Sequence, residues 1–271
     1  MAEFTGFQTV GVIRFSLLTE DFETNRLGPA EDHARVLFAE ERLAHRFRLF
    51  EKLCLHTLRQ QTDPEFELIV LTSEALPEPW ATRLRDLVQA QANMAVVARP
   101  RGKNYPMIRE AYGLVPPDGS SHRLSFRLDD DDAVDLDFIA RIKRTGRALL
   151  PLHRKSTPIL MNFNRGFFVD LSEGAPRRVI DVTERAPLAL GTTLLHLNGQ
   201  NVTPYRYNHR NFPLHYNLYT DVDVPAFLRT VHGFNASTPY RSGWSERMEE
   251  AECLALVERH FGMDAAHMAS L

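Results

Sequence analysis

Residues Arg123–Ile142 read RLSFRLDDDDAVDLDFIARI. A short apolar segment, Arg123 to Leu128, runs straight into Asp129, Asp130, Asp131 and Asp132. Adjacent carboxylates repel one another, and burying one without a partner is costly. Two readings follow from the stretch alone: a solvated acidic turn, or a loop at a strand end arranged around a cation. The surrounding sequence has to separate them.

Upstream, strand and helix signals alternate. Thr9 to Leu18 is rich in β-branched residues and predicts a first strand. A helix is expected from Ala34 to Gln60, with Leu43, Phe47, Phe50, Cys54 and Leu58 stepping by three or four along one face. Phe66 to Leu71 (FELIVL) is a continuous apolar run, as in a strand buried on both faces. A helix near Pro79–Ala90, a strand at Met94–Ala98 and a short helix at Tyr105–Tyr112 lead to the Arg123–Leu128 strand. This alternation predicts an α/β fold with a mostly parallel, doubly wound sheet flanked by helices. Ligands in such sheets bind outside the carboxyl ends of the strands, and the aspartates stand at one of those ends.

Beyond Ile142 the signals shorten. Ile159–Phe163, Phe167–Leu171, Arg178–Val182, Thr192–Leu197 and Phe227–Val231 read as strands, while Val202 to Tyr219 has no clear period. A last helix is expected from an N-cap at Ser245, with Ala251, Leu254 and Val257 on one face and Gly262 at its end.

Composition narrows the function classes. The chain has 271 residues, 44% hydrophobic and 25% charged, with a net charge of −3. That balance excludes a general polyanion binder, so nucleic acid is not an expected partner. No stretch approaches the ~20 apolar residues of a membrane span. Glu3 and Arg14 interrupt any signal-peptide pattern, so a cytoplasmic location is expected, with peripheral membrane association left open. Cys54 and Cys253 form no CxxC pair. No EF-hand register, phosphate loop, GxGxxG, GxSxG or HExxH is present.

At this point the residues resemble a family. Leu58 to Thr72 (LRQQTDPEFELIVLT), then Arg109, then the ending Leu128-Asp129-Asp130-Asp131-Asp132, are similar in kind and order to the nucleotide-binding half of family-two GT-A glycosyltransferases. With Val231-His232-Gly233-x-Asn235, the chain more narrowly resembles a bacterial rhamnosyltransferase family. The resemblance implies one GT-A-like domain over residues 1–271, with a nucleotide-sugar half at 9–135 and an acceptor half at 136–271. It implies a nucleotide-diphosphate sugar donor, possession of Mn²⁺ or Mg²⁺, and a glycan or other hydroxyl acceptor. Asp129, with Asp130 beside it, would meet the nucleotide-sugar, Asp131 would hold the metal, and His232 would add a metal or diphosphate contact. Arg14 and Ser16, at the end of the first strand, would meet the nucleotide, since a charge inside an apolar strand needs a partner. Arg109 would pair with phosphate oxygens or bridge to an aspartate. Thr72 stands where family-two enzymes carry an aspartate for the base, a departure that leaves the nucleobase open. Asp170, Asp181, Asp221 and Asp223 of the acceptor half are candidate general bases, with Asp221 chosen by its distance downstream of the motif. Tyr205 to Arg210 reads either as a sugar-facing loop or as a polar crossover over the core. Two other readings share this fold: a nucleotidyltransferase, and a non-catalytic nucleotide- or sugar-binding protein. Leu17-Leu18-Thr19-Glu20 disfavours the former, which carries a Gly-rich loop and a lysine there.

Overall fold

The structure is a computed structural model and describes residues 4–22, 28–154, 157–174, 177–235 and 248–271. Its first strand, β1 (Phe7–Arg14), is followed by a helical run in pieces: α1 (His33–Leu37), α2 (Glu40–Leu49), a π turn (Phe50–Cys54) and α3 (Leu55–Arg59). Then come β2 (Glu67–Ser73), α4 (Trp80–Gln89), β3 (Met94–Arg99), α5 (Asn104–Gly113), β4 (His122–Asp129), β5 (Asp132–Val134) and α6 (Phe138–Leu149). The later half supplies β6 (Ile159–Phe163), β7 (Arg165–Asp170), β8 (Arg178–Thr183), β9 (Thr193–Leu197), β10 (Asn217–Asp221), β11 (Phe227–Val231), α7 (Glu250–Phe261) and α8 (Ala265–Ala269).

Two sheets result. A seven-stranded sheet runs β10-β6-β9-β4-β1-β2-β3, and a four-stranded sheet runs β5-β11-β7-β8. In the larger sheet only β9 is antiparallel to its neighbours. The expected α/β class with a mostly parallel central sheet is therefore what the chain adopts. The larger sheet draws β6, β9 and β10 from beyond residue 136, so the two sequence halves share one sheet.

The helical run fits its sequence face. Leu43, Phe47, Phe50, Cys54 and Leu58 are at most 1% exposed and pack with Ile13, Val70 and Phe126 of the larger sheet. Each such side chain contributes roughly 1.5–3 kcal/mol by leaving water. The run is not one helix: it breaks at Phe38-Ala39 and widens into the π turn. Leu49 and Leu53 face the opposite way, into a second core with Phe167, Val257 and Phe261. The helix thus lies between two cores and carries side chains to the strand ends of both sheets. Close packing also fixes Gly11 in β1, where a Cβ would overlap the Phe126 ring.

The last helix ends at Gly262 in the left-handed region (φ 66°), as its sequence signal predicts. Its N-cap is Glu249, which forms a capping box with Glu252. The expected cap Ser245 lies outside the described residues. No described helix is long and apolar enough to cross a membrane.

Candidate functional site

Arg14 ends β1, Asp129 ends β4, and the two are partners in the parallel ladder. β2 and β3 lie on one side of β1 and β4 on the other. This is the point where the strand order reverses, the place where open α/β sheets bind ligands.

Arg127, two residues before Asp129, rises from the same strand. Asp129 lies 3.6 Å from Arg14 Nη2 and 3.9 Å from Arg127 Nη2, and its side chain is 32% exposed. Tyr205 lies between the two cations: Arg127 is 4.1 Å and Arg14 5.2 Å from its ring centre. The Tyr205 hydroxyl donates to the carbonyls of Val12 (2.8 Å) and Leu128 (3.3 Å), pinning the ring over β1 and β4. Of the two sequence readings of this loop, Tyr205 itself fits the crossover over the core. Arg14 also rests on Phe22 at 4.0 Å and donates to Asn104 Oδ1 at 3.2 Å. Even so, the Nε atoms of both Arg14 and Arg127 are buried without a hydrogen-bond partner. An unpaired buried donor is costly, and an oxygen-rich ligand arriving at this strand end would relieve it.

The other three aspartates are buried, at 1%, 5% and 4% exposure. The solvated-turn reading fails for them. Arg46 of α2 donates to both oxygens of Asp130 and, at 2.5 Å, to Asp131 Oδ2. Asp131 Oδ2 also faces His232 Nε2 (3.1 Å) and Asn235 Nδ2 (3.2 Å). Burial opposes ionisation of Asp131, yet the Arg46 charge and the His232 contact hold its carboxyl well below the usual range. Arg46 itself is held firmly protonated by Asp130 and Asp131 against the cost of burial. Asp132 has a different neighbourhood: its Oδ1 accepts from Thr230 N at 3.1 Å. Burial, then the Asp131 charge, pushes it well above the ordinary carboxylate range.

A divalent cation can be tested against this donor set. The backbone N–H of Phe234 donates to His232 Nδ1 at 3.2 Å, so the ring lone pair is there and its proton is on Nε2. A ligating histidine has the opposite arrangement, with the lone pair on the metal and the other N–H given to an acceptor. In this geometry His232 is a donor to Asp131 and not a ligand-ready nitrogen. Asp130 is wholly taken by Arg46, and no group of three His, Cys, Asp or Glu side chains among the described residues converges to hold a metal. These residues do not fit a protein-held Mn²⁺ or Mg²⁺ site.

The remaining expected residues divide. Ser16 follows β1 with a positive φ of 46°, unusual for a residue with a Cβ, and its hydroxyl accepts from Arg42 at 3.1 Å. Thr72 is buried near the end of β2 with its hydroxyl unpaired. Arg109 does not join the aspartates: it is exposed on α5, whose buried positions are Met107, Ile108, Ala111 and Tyr112. The guanidinium groups that meet the aspartates are those of Arg14, Arg46 and Arg127. Asp221 ends β10, where Oδ1 accepts from Asp223 N (2.8 Å) and Oδ2 lies 3.4 Å from the Tyr219 hydroxyl.

Sequence reasoning missed Arg46 and Arg127, and named Asn235 only as part of the Val231–Asn235 segment, without its contact to Asp131. For Arg127 the signal was present, since LSFRL holds a charge inside an apolar strand just as VIRF does at Arg14. Arg46 was hidden among three other arginines and histidines, Arg42, His45 and Arg48, of an amphipathic helix.

Comparison with known proteins gives three findings. No curated protein matches the chain. Among solved structures, Staphylococcus aureus TarS 1–349 in complex with UDP-GlcNAc is similar at 12% identity and a TM-score of 0.45, covering 97% of this chain and 74% of that one. The same protein in complex with UDP gives 11% identity and a TM-score of 0.41, covering 97% and 73%. A glucose-1-phosphate thymidylyltransferase-type structure from Bacillus anthracis, in complex with a sucrose, gives 8% and 0.35, covering 81% and 88%. Residues 8–243 match the family described as "Putative rhamnosyl transferase", and the chain belongs to that family.

Proposed function

We propose that the protein transfers a sugar from a nucleoside-diphosphate donor to a hydroxyl group of a glycan or other acceptor. Rhamnose is the sugar that the family description suggests. The observation that carries this reading is the Arg14–Arg127 pair beside Asp129 at the strand-order reversal, with two buried guanidinium nitrogens unpaired.

In this reading the donor lies across the ends of β2, β1 and β4. Thr72 and Ser16 line the base side, the part-exposed Asp129 carboxylate accepts from the ribose hydroxyls, and the two guanidinium groups face phosphate oxygens. The sugar then projects towards β6 and β10. Three strand spacings separate β4 from β10, roughly 14 Å, which leaves room for a diphosphate and a sugar between Asp129 and Asp221. Asp221 is proposed as the base. It takes the acceptor hydroxyl proton as that oxygen bonds to the anomeric carbon, and the bond from that carbon to the phosphate oxygen breaks, releasing the nucleoside diphosphate.

The test combines calorimetry with product analysis. UDP and dTDP are titrated into the wild type, Arg127→Ala and Asp221→Asn, and release of nucleoside diphosphate from UDP- and dTDP-sugars is followed with candidate acceptors. Arg127→Ala is expected to weaken nucleotide binding at least tenfold. Asp221→Asn is expected to bind normally and to lose transfer. Equal nucleotide affinity in the wild type and Arg127→Ala would refute the placement of the donor.

A further inference from the structure

We propose that Arg46 takes the place of the divalent cation on the aspartate loop, and that the donor diphosphate is neutralised by Arg14 and Arg127 without a metal ion. This rests on the donor-binding reading above and adds to it the electrostatic source of phosphate recognition.

Three observations converge. The first is position: the Arg46 guanidinium spans Asp130 and Asp131, so a cationic group already lies against the residues expected to attract a metal. The second is the histidine, whose lone pair is turned away from Asp131 towards Phe234 N. The third is the charge census. Asp129, Asp130 and Asp131 are each in contact with at least one of Arg14, Arg46 and Arg127. Asp132 is buried and accepts from the Thr230 backbone N–H at 3.1 Å. Asp130 and Asp131 share the Arg46 guanidinium, whereas Asp129 alone faces Arg14 and Arg127, so that strand end keeps an excess positive charge for phosphate. A site built to attract a divalent cation leaves carboxylate oxygens open, and here both oxygens of Asp130 and Oδ2 of Asp131 are already engaged.

The arrangement also explains how Arg46 reaches the loop. Arg42, His45 and Arg46 share one side of α2, and Arg42 one turn earlier bonds Ser16 Oγ and the Leu37 carbonyl. Arg46 is a positioning residue: it is paired to the protein, and it holds the loop so that Asp129 and its two arginines face the ligand.

The experiment has two readouts that do not depend on turnover. Mn²⁺ alone is titrated into the wild type, Arg46→Lys and Arg46→Gln and followed by electron paramagnetic resonance. UDP and dTDP are titrated into the wild type in Mn²⁺ and in EDTA. The wild type and Arg46→Lys are expected to leave Mn²⁺ free, and Arg46→Gln to acquire a Mn²⁺ site because its aspartates are uncovered. Nucleotide affinity of the wild type is expected to agree within about threefold in the two buffers. Stoichiometric Mn²⁺ binding by the wild type, or a loss of more than about tenfold in nucleotide affinity in EDTA, would overturn the proposal. A folded Arg46→Gln that leaves Mn²⁺ free also overturns it. If Arg46→Gln does not fold, the wild-type titrations decide alone. Absence of nucleotide binding in both buffers refutes the donor site itself, and the Mn²⁺ titration then decides the role of Arg46 separately.

Discussion

Arg46 and Asp130 should show strong energetic coupling, measurable by a double-mutant cycle. Their side chains are 12% and 1% exposed, so solvent screens the pair little. Breaking a buried pair by removing one partner costs about 3–5 kcal/mol, because the other charge is left uncompensated. Asp130→Asn belongs at the low end, about 3 kcal/mol, since Arg46 keeps Asp131 at 2.5 Å. Arg46→Met belongs at the high end, about 5 kcal/mol, because it strands Asp130 and deprives Asp131 of its nearest cation. In the Arg46→Met background, however, Asp130→Asn removes a carboxylate that no longer has a partner, and its cost should fall to about zero. The cycle therefore gives a coupling of about 3 kcal/mol. Urea unfolding followed by tryptophan fluorescence measures it; the Trp80 ring lies 4.9 Å from that of Phe47, on the same helix as Arg46. Additivity of the two substitutions within about 0.5 kcal/mol would refute the pairing.

Asp132→Asn tests a second buried acid; burial also raises Asp130, to about 6, against the pull of Arg46. Because burial raises the folded pKa of Asp132 above its unfolded value, ionisation works against folding as pH rises, and Asn keeps the acceptor for Thr230 N. The variant is expected to match or exceed wild-type stability at neutral pH, with the gain vanishing below about pH 4, where both states are protonated; urea unfolding at the two pH values checks this. Tyr205→Phe keeps the ring between Arg14 and Arg127 but deletes the hydroxyl shared by Val12 and Leu128. It should cost about 1 kcal/mol in urea unfolding, and a loss near the 3–5 kcal/mol of a full ring deletion would show that the ring moves.

How far the sequence carried these conclusions depends on what surrounds each residue. β2 was legible because both faces are covered and it reads as an apolar run, and β1 because of its β-branched residues, whereas β4 (HRLSFRLD) alternates polar and apolar residues although nearly all of it is buried. β10 was not legible, because it is the outer strand, pairs among the described residues only with β6, and has the half-exposed, polar sequence NLYTD. β5 was hidden for another reason. It begins at Asp132, which the sequence presents as the last member of an acidic turn; its partners, Thr230 N and the Arg229 charge, come from β11, distant in sequence. The helix expected at 34–60 had the right buried face, but the Phe38-Ala39 break and the π turn leave no mark in a periodicity that tolerates steps of three and four. In the site, Arg14 could be found because an apolar strand singled it out. The bridge from Arg109 to an aspartate was not found, because its nearness in sequence to the motif says nothing about the helix face it occupies.

The four aspartates answer to four different neighbourhoods, and this decides what the motif is for. Asp129 turns a part-exposed carboxylate to the strand end between two arginines, whereas Asp130 and Asp131 tie α2 to the end of β4 through Arg46. Asp131 also reaches His232 and Asn235 beyond β11, and Asp132 reaches Thr230 within it. The run therefore joins the larger sheet, the smaller sheet and the helix between them at one point. A merely solvated turn needs none of these partners, and a preassembled metal site would leave more of its oxygens unengaged. In the proposed reading Asp129, the part-exposed member, meets the ligand, and its buried neighbours fix the geometry in which it does so. Substitutions at Asp130 and Asp132 should accordingly be read first in stability, and those at Arg14, Arg127 and Asp129 first in nucleotide affinity. A motif that acted as four equivalent ligands would blur that division.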